Sequence, residues 1–157
     1  MSSSCCTTEH ADLTSGQACA TDHADPQDRA PAAVKAAIVV LSDPQSGSDE
    51  ALGRIFNALA AAYDFKAHGE QVTIQFHGAA TRWIGELSNS EHPAHALFEQ
   101  VKDQVAGVSC GCADVFGGGD EAQQSGFELI TDNPIPGTSG LPSLHRLITE
   151  GYTLLTF

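Results

Sequence analysis

The sequence predicts an α/β fold in which parallel strands alternate with helices that cover both faces of the sheet. Three observations lead there. KAAIVVLS (Lys35 to Ser42) is a nearly unbroken apolar run of strand length, the mark of a strand buried on both faces. A stretch with 3.6-residue apolar periodicity comes next. The same order, strand then helix, recurs to the end of the chain, and such alternation builds parallel βαβ units.

Each element has its own local reason. After the first strand and the polar loop DPQSGS, Ser48 caps a helix whose first turn carries Asp49 and Glu50, suited to the positive end of its dipole. Leu52, Ile55, Phe56, Leu59 and Tyr63 are expected on its inward face, and Gly69 closes it. QVTIQFHG (Gln71 to Gly78) alternates and reads as a second strand, nearer an edge, and Trp83, Ile84 and Leu87 suggest a short helical piece. Pro93 fits the first turn of a second full helix with Ala94, Leu97, Phe98, Val101 and Val105 as its stripe. AGVSC is a short third strand ending at a thiol, and FELIT (Phe127 to Thr131) is a candidate fourth. The GGG at 117–119 reads as a flexible connection, and Asp120–Glu121 mark a helix start. DNPIPGTSG is an irregular loop. A last helix in PSLHRLITEG has Leu144, Leu147 and Ile148 inward, and YTLLTF is the closing strand.

At 157 residues the length suits one domain with a proper core, preceded by a tail. Residues 1–34 are rich in Ser, Thr, Ala, Asp and Gln and have no apolar periodicity, so they are expected to be disordered or partly ordered. Residues 35–157 form the domain. The net charge of −13 repels phosphate backbones and anionic lipid, which argues against nucleic acid and membrane surfaces as partners. No apolar run reaches the ~20 residues a bilayer span needs, and the start shows no secretory signal pattern, so the expected compartment is the cytoplasm.

Chemistry concentrates in GVSCGCADVFGGG (Gly107 to Gly119). Ligands in parallel sheets sit beyond the carboxyl ends of the strands. There the sequence places Ser42–Asp43, His77, and Cys110 with Cys112. A thiol that opens a helix meets unpaired backbone N–H groups that favour the thiolate, and Cys112 is the better placed of the two. The plain alternatives are packed small residues for the cysteines and a structural hydrogen bond for His77. The five cysteines, Cys5, Cys6, Cys19, Cys110 and Cys112, are odd in number and avoid the core elements, which suits reactive or metal-binding thiols better than a disulfide scaffold. Cys-x-Cys alone is weak metal evidence. A zinc or copper site would have to recruit His77, the pair His92 and His95, or the tail ligands Cys5, Cys6, His10, Cys19 and His23. His92 and His95 read instead as a solvated surface pair, and His68 and His145 carry no signal. No G-x-S-x-G, phosphate-binding loop, dinucleotide fingerprint or H-E-x-x-H occurs.

KAAIVVLSDPQSGSDEALGRIFNALAAAYDFKAHGEQVTIQFHGAATRW, the GVSCGCADVFG segment and the ending GYTLLTF together resemble the DsrE-like (DsrE/DsrF, YchN-like) family over about Lys35 to Phe157. The resemblance implies a three-layer α/β/α domain around a five-stranded, mainly parallel sheet, assembled into trimers or hexamers. It also implies a persulfide carrier or sulfurtransferase-type subunit without a cofactor, in which a cysteine at this loop takes sulfur from one protein and passes it to another. Cys112, in CADVFG, matches that cysteine. The second family cysteine, three residues earlier, is replaced by Ser109, so Cys110 is displaced from the usual spacing. His77 stands where relatives carry an acidic or polar residue. On this reading Cys112 receives sulfur and Cys110 assists; His77, whose role the resemblance does not supply, joins the candidate catalytic set from its place on the rim. A non-catalytic oligomeric module and a soft-metal binder are the alternatives.

Overall fold

The computed structural model describes residues 33–157; expectations for the preceding segment, including Cys5, Cys6, Cys19, His10 and His23, fall outside the described residues. Five strands form one sheet: β1 (Lys35–Val40), β2 (Gln71–Phe76), β3 (Val105–Ser109), β4 (Leu129–Ile130) and β5 (Thr153–Thr156). Six α-helices accompany them: α1 (Asp49–Ala67), α2 (Trp83–Ser88), α3 (His95–Val101), α4 (Cys110–Phe116), α5 (Gly119–Gln124) and α6 (Leu144–Thr149). Short 3-10 turns occupy Pro44–Ser46, Gly78–Arg82 and Lys102–Gln104.

The strand order is β4-β3-β2-β1-β5 and every pairing is parallel. The chain steps from β1 to β2, β3 and β4 in one direction. Right-handed crossovers therefore stack α1, α2, α3 and α5 on one face, and the return from β4 to β5 sends α6 to the other. The burial pattern agrees. Ala36, Ile38 and Val40, Val72, Ile74 and Phe76, and Val108 belong to one large apolar cluster with α1, α2 and α3, whereas Ala37, Val39 and Leu147 are buried outside it. The opposite face is thus thinly covered, by a six-residue helix and a loop.

Several sequence expectations shift. The buried face of α1 is Ala51, Ile55, Ala58, Leu59 and Ala62, with Leu52 partly buried; Phe56 and Tyr63 are exposed. Alanines prevail because a long helix lying close over a sheet has no room for larger side chains. Val105 opens β3 instead of ending α3, since the helix tightens into a 3-10 turn after Val101. In α6 only Leu147 is buried, while Leu144 is 40% and Ile148 59% exposed; a helix this short at the sheet margin covers its strand with one side chain. The three glycines are not a flexible connection. A Cβ on Gly118, at φ 89°, would stand 2.3 Å from the Thr81 carbonyl oxygen, so glycine is there to let two backbones touch.

Among the described residues, no helix is long and apolar enough to cross a membrane.

Candidate functional site at the strand ends

The three features singled out in the sequence do share a rim. Val40 pairs with Phe76, and Phe76 with Val108, so the residues directly after β1, β2 and β3 emerge side by side. These are Ser42–Asp43, His77 and the Cys110–Cys112 turn.

The turn is built by Ser109. Fully buried at the end of β3, it caps α4 with its side-chain oxygen, which accepts from the Cys112 N–H at 3.4 Å. Gly111 N–H donates to the Gly140 carbonyl at 2.7 Å, which ties the turn to the loop between β4 and α6. A Cβ on Gly111 would lie 3.0 Å from that oxygen and 3.1 Å from Leu141 Cδ1. The middle residue of Cys-Gly-Cys is therefore small because the loop rests on it. These bonds also alter the expected electrostatics: the amides of Gly111 and Cys112, anticipated as open to a thiolate, are already engaged. Farther along, the Ser139 hydroxyl donates to the Asp114 carboxylate, pinning the same loop to the next turn.

Both thiols are free and half-buried. Helical spacing separates their surroundings: Cys110 shares a stripe with Ala113 and Asp114, Cys112 with Val115 and Phe116. Val115 and Phe116 are exposed.

His77 lies on the thinly covered face with Gln75, two residues back on β2. Its backbone N–H donates to the Val40 carbonyl (2.9 Å), and its Nε2 sits 3.2 Å from the Gln75 amide oxygen. With the Gln75 amide oxygen facing the ring, the bond forms when Nε2 carries the proton, which leaves Nδ1 as an acceptor. The residue is only 9% exposed, and burial lowers its pKa from 6.5 to about 4. It is neutral at pH 7. No hydrogen bond joins it to either thiol among the described residues.

Sequence reasoning missed the residues that hold the rim together. Arg82 donates from Nη1 to the Asp43 carboxylate (3.2 Å to Oδ1) and from Nε to the Phe116 carbonyl (2.5 Å). Its guanidinium carbon lies 6.0 Å from the centre of the Phe116 ring. The Thr81 hydroxyl donates to the Gly117 carbonyl (2.7 Å), and Trp83 Nε1 donates to the Ser42 carbonyl (2.7 Å). One short segment, Thr81–Trp83, therefore fastens the loop after β1 and the end of α4. No local pattern marks these ties: the run Thr81-Arg82-Trp83 stands out only once the structure sets Thr81 against Gly118. His92 and His95 are not a metal pair on one helix: His92 precedes α3 and its Nδ1 accepts from Ala94 N–H (3.2 Å), while His95 Nδ1 meets the Leu87 carbonyl (2.8 Å). Among the described residues no group of three or more His, Cys, Asp or Glu side chains is arranged to hold a metal ion.

An all-parallel five-stranded sheet with a cysteine pair opening the helix after its third strand defines a class, and comparison with known proteins names it. A family model described as the DsrE/DsrF-like family matches residues 34–157. The chain belongs to that family. It is 29% identical, over 101 residues, to an uncharacterized protein of Methanocaldococcus jannaschii; the match covers 64% of this chain and 78% of that protein. No solved structure matches it significantly.

Proposed function

We propose that this protein handles sulfur, with Cys112 accepting a sulfur atom as a persulfide and surrendering it to a thiol of a partner protein. The observation that carries the reading is a free, half-buried thiol on the strand-end rim, on a helical turn fixed by Ser109 and Gly140, in a member of the DsrE/DsrF-like family. The Cys112 thiolate attacks the outer sulfur of a donor persulfide. A new S–S bond forms at Cys112, the donor's own S–S bond breaks, and the donor departs as a thiolate with the electron pair. Cys112 suits the role better than Cys110 because its stripe carries the exposed Val115 and Phe116, an open approach for a partner, whereas that of Cys110 runs to Asp114, which is tied to Ser139. The stripe of Cys112 leads instead to Phe116 beneath the Arg82 guanidinium. His77 stands on the same rim as a neutral acceptor; with a pKa near 4 it is too weakly basic to hold the thiol proton at pH 7.

The test is mass spectrometry after exposure to a low-molecular-weight persulfide. The peptide containing residue 112 gains one sulfur atom, and Cys112→Ala abolishes the gain. An unmodified Cys112 under saturating donor would remove this function.

Exposed Phe56, Tyr63, Leu144 and Ile148 favour a second element of the reading, assembly with further copies of the chain. Light scattering gives the mass in solution; a strictly monomeric protein would end that part.

A further inference from the structure

We propose that Cys110 and Cys112 do not form a disulfide with each other in the folded protein, so that a sulfur atom on Cys112 leaves only to a thiol of another molecule. This rests on the sulfur-handling reading but concerns the fate of the sulfur, not its arrival.

A persulfide on Cys112 has two exits. In the first, the Cys110 thiolate attacks Sγ of Cys112: the Cys110–Cys112 bond forms, the bond to the outer sulfur breaks, and hydrosulfide leaves with the electron pair. In the second, an external thiolate attacks the outer sulfur: the persulfide moves to the newcomer and Cys112 is released as a thiolate. The first makes the protein a sulfide-releasing enzyme that must then be reduced. The second makes it a carrier, with no net change in its own oxidation state.

Geometry closes the first exit. Both cysteines lie inside α4, which begins at Cys110. Residues two apart in an α-helix project about 200° from one another, and cysteines whose Cβ vectors diverge cannot be bridged without moving backbone. The backbone that would have to move is held from several sides. Gly111, between the two, is buried, donates to Gly140, and has the Gly140 oxygen and Leu141 packed where its side chain would be. The Cys112 amide is tied to Ser109. Asp114 holds Ser139 of the same loop. Unwinding the turn would release all of these at once.

Ser109, three residues before Cys112, is a buried helix cap, and the second thiol is placed on the far side of the turn.

The experiment uses the full chain with Cys5, Cys6 and Cys19 replaced by serine, so that only the pair reacts. It is treated with diamide, folded and in urea, and the proteolytic peptide carrying both cysteines is weighed; non-reducing electrophoresis separates any intermolecular product. The expected result is closure of the pair, read as the loss of two hydrogens, in urea and none in the folded protein over the same time. In parallel, Cys112 is loaded with sulfur and sulfide release is monitored without added thiol. Release is equally slow in the parent and in Cys110→Ser, and added thiol accelerates both to the same degree. Closure in the folded protein, or slower release from Cys110→Ser than from the parent, overturns the inference. Failure to load Cys112 at all sinks the sulfur-handling reading alone, because the diamide arm still decides the geometry.

Discussion

Acidifying the protein from pH 7.5 to pH 5 is expected to cost about 2 kcal/mol of stability through His77 alone. In the fold its pKa is lowered from 6.5 to about 4 because the ring is buried beside Gln75. The unfolded chain therefore binds more protons than the folded one between those two values. The stabilising difference is intact above the unfolded pKa and is lost as pH falls towards the folded one. The full gap of roughly 2.5 units corresponds to about 3.4 kcal/mol, of which roughly 2 kcal/mol has gone by pH 5. The other shifted groups act lower: Glu99, hydrogen-bonded to Lys102, and Asp103, hydrogen-bonded to Lys66, have lowered pKa values, so their contributions fade only as pH drops below the ordinary carboxylate range. Urea unfolding at pH 7.5 and pH 5 reads the difference. With a slope of ~2 kcal/mol per molar, the midpoint falls by about 1 M. His77→Gln, which stays neutral, loses most of that pH dependence whatever its absolute stability. A parent midpoint unchanged over this range, or a variant with the same pH slope as the parent, would refute the assignment of a buried neutral imidazole.

Three pairs of substitutions probe the rest of the frame. Gly118→Ala forces a side chain onto the Thr81 carbonyl at a positive φ and is expected to cost at least ~3 kcal/mol; Gly47→Ala, at φ 64° with open space around it, costs only ~1 kcal/mol by the same thermal unfolding measurement. Arg82→Ala breaks the links to Asp43 and Phe116 and lowers stability by about 1–2 kcal/mol. Arg82→Lys fails to restore it, because an ammonium cannot supply the two donors in a fixed fork. Leu147→Ala is expected to cost ~2–4 kcal/mol, whereas Ile148→Ser stays within ~0.5 kcal/mol in a monomeric state; equal effects would mean that α6 is seated differently.

Strands announce themselves when both faces are buried, and β1 was plain in the sequence because Ala36 to Val40 leave no polar gap. The rim positions were legible for the same reason: once β1, β2 and β3 are neighbours, the residues at their carboxyl ends must meet. Helix faces were harder. Periodicity finds the stripe of large apolar residues, but α1 turns its alanines to the sheet and leaves Phe56 and Tyr63 outside. That choice depends on the separation of helix and sheet, which no local pattern encodes. Polar ties were hardest of all. Nothing in the string says that Arg82 should meet both Asp43, 39 residues earlier, and Phe116, 34 residues later.

The same long-range ties explain why glycine recurs around the cysteines. Each of three glycines stands where another segment has already taken the side-chain position: Gly107 against the Glu128 carbonyl at 2.2 Å, Gly111 against Gly140, Gly118 against Thr81. They begin at the end of β3 and continue through the far end of α4, so the thiol-bearing turn is clasped on successive sides by the approach to β4, by the loop before α6 and by the segment after β2. A stretch that looks loose in sequence is consequently one of the most sterically determined in the fold. On the sulfur-handling proposal, rigidity of this kind would fix which side of the turn an incoming thiol meets and would keep the neighbouring cysteine from reaching across.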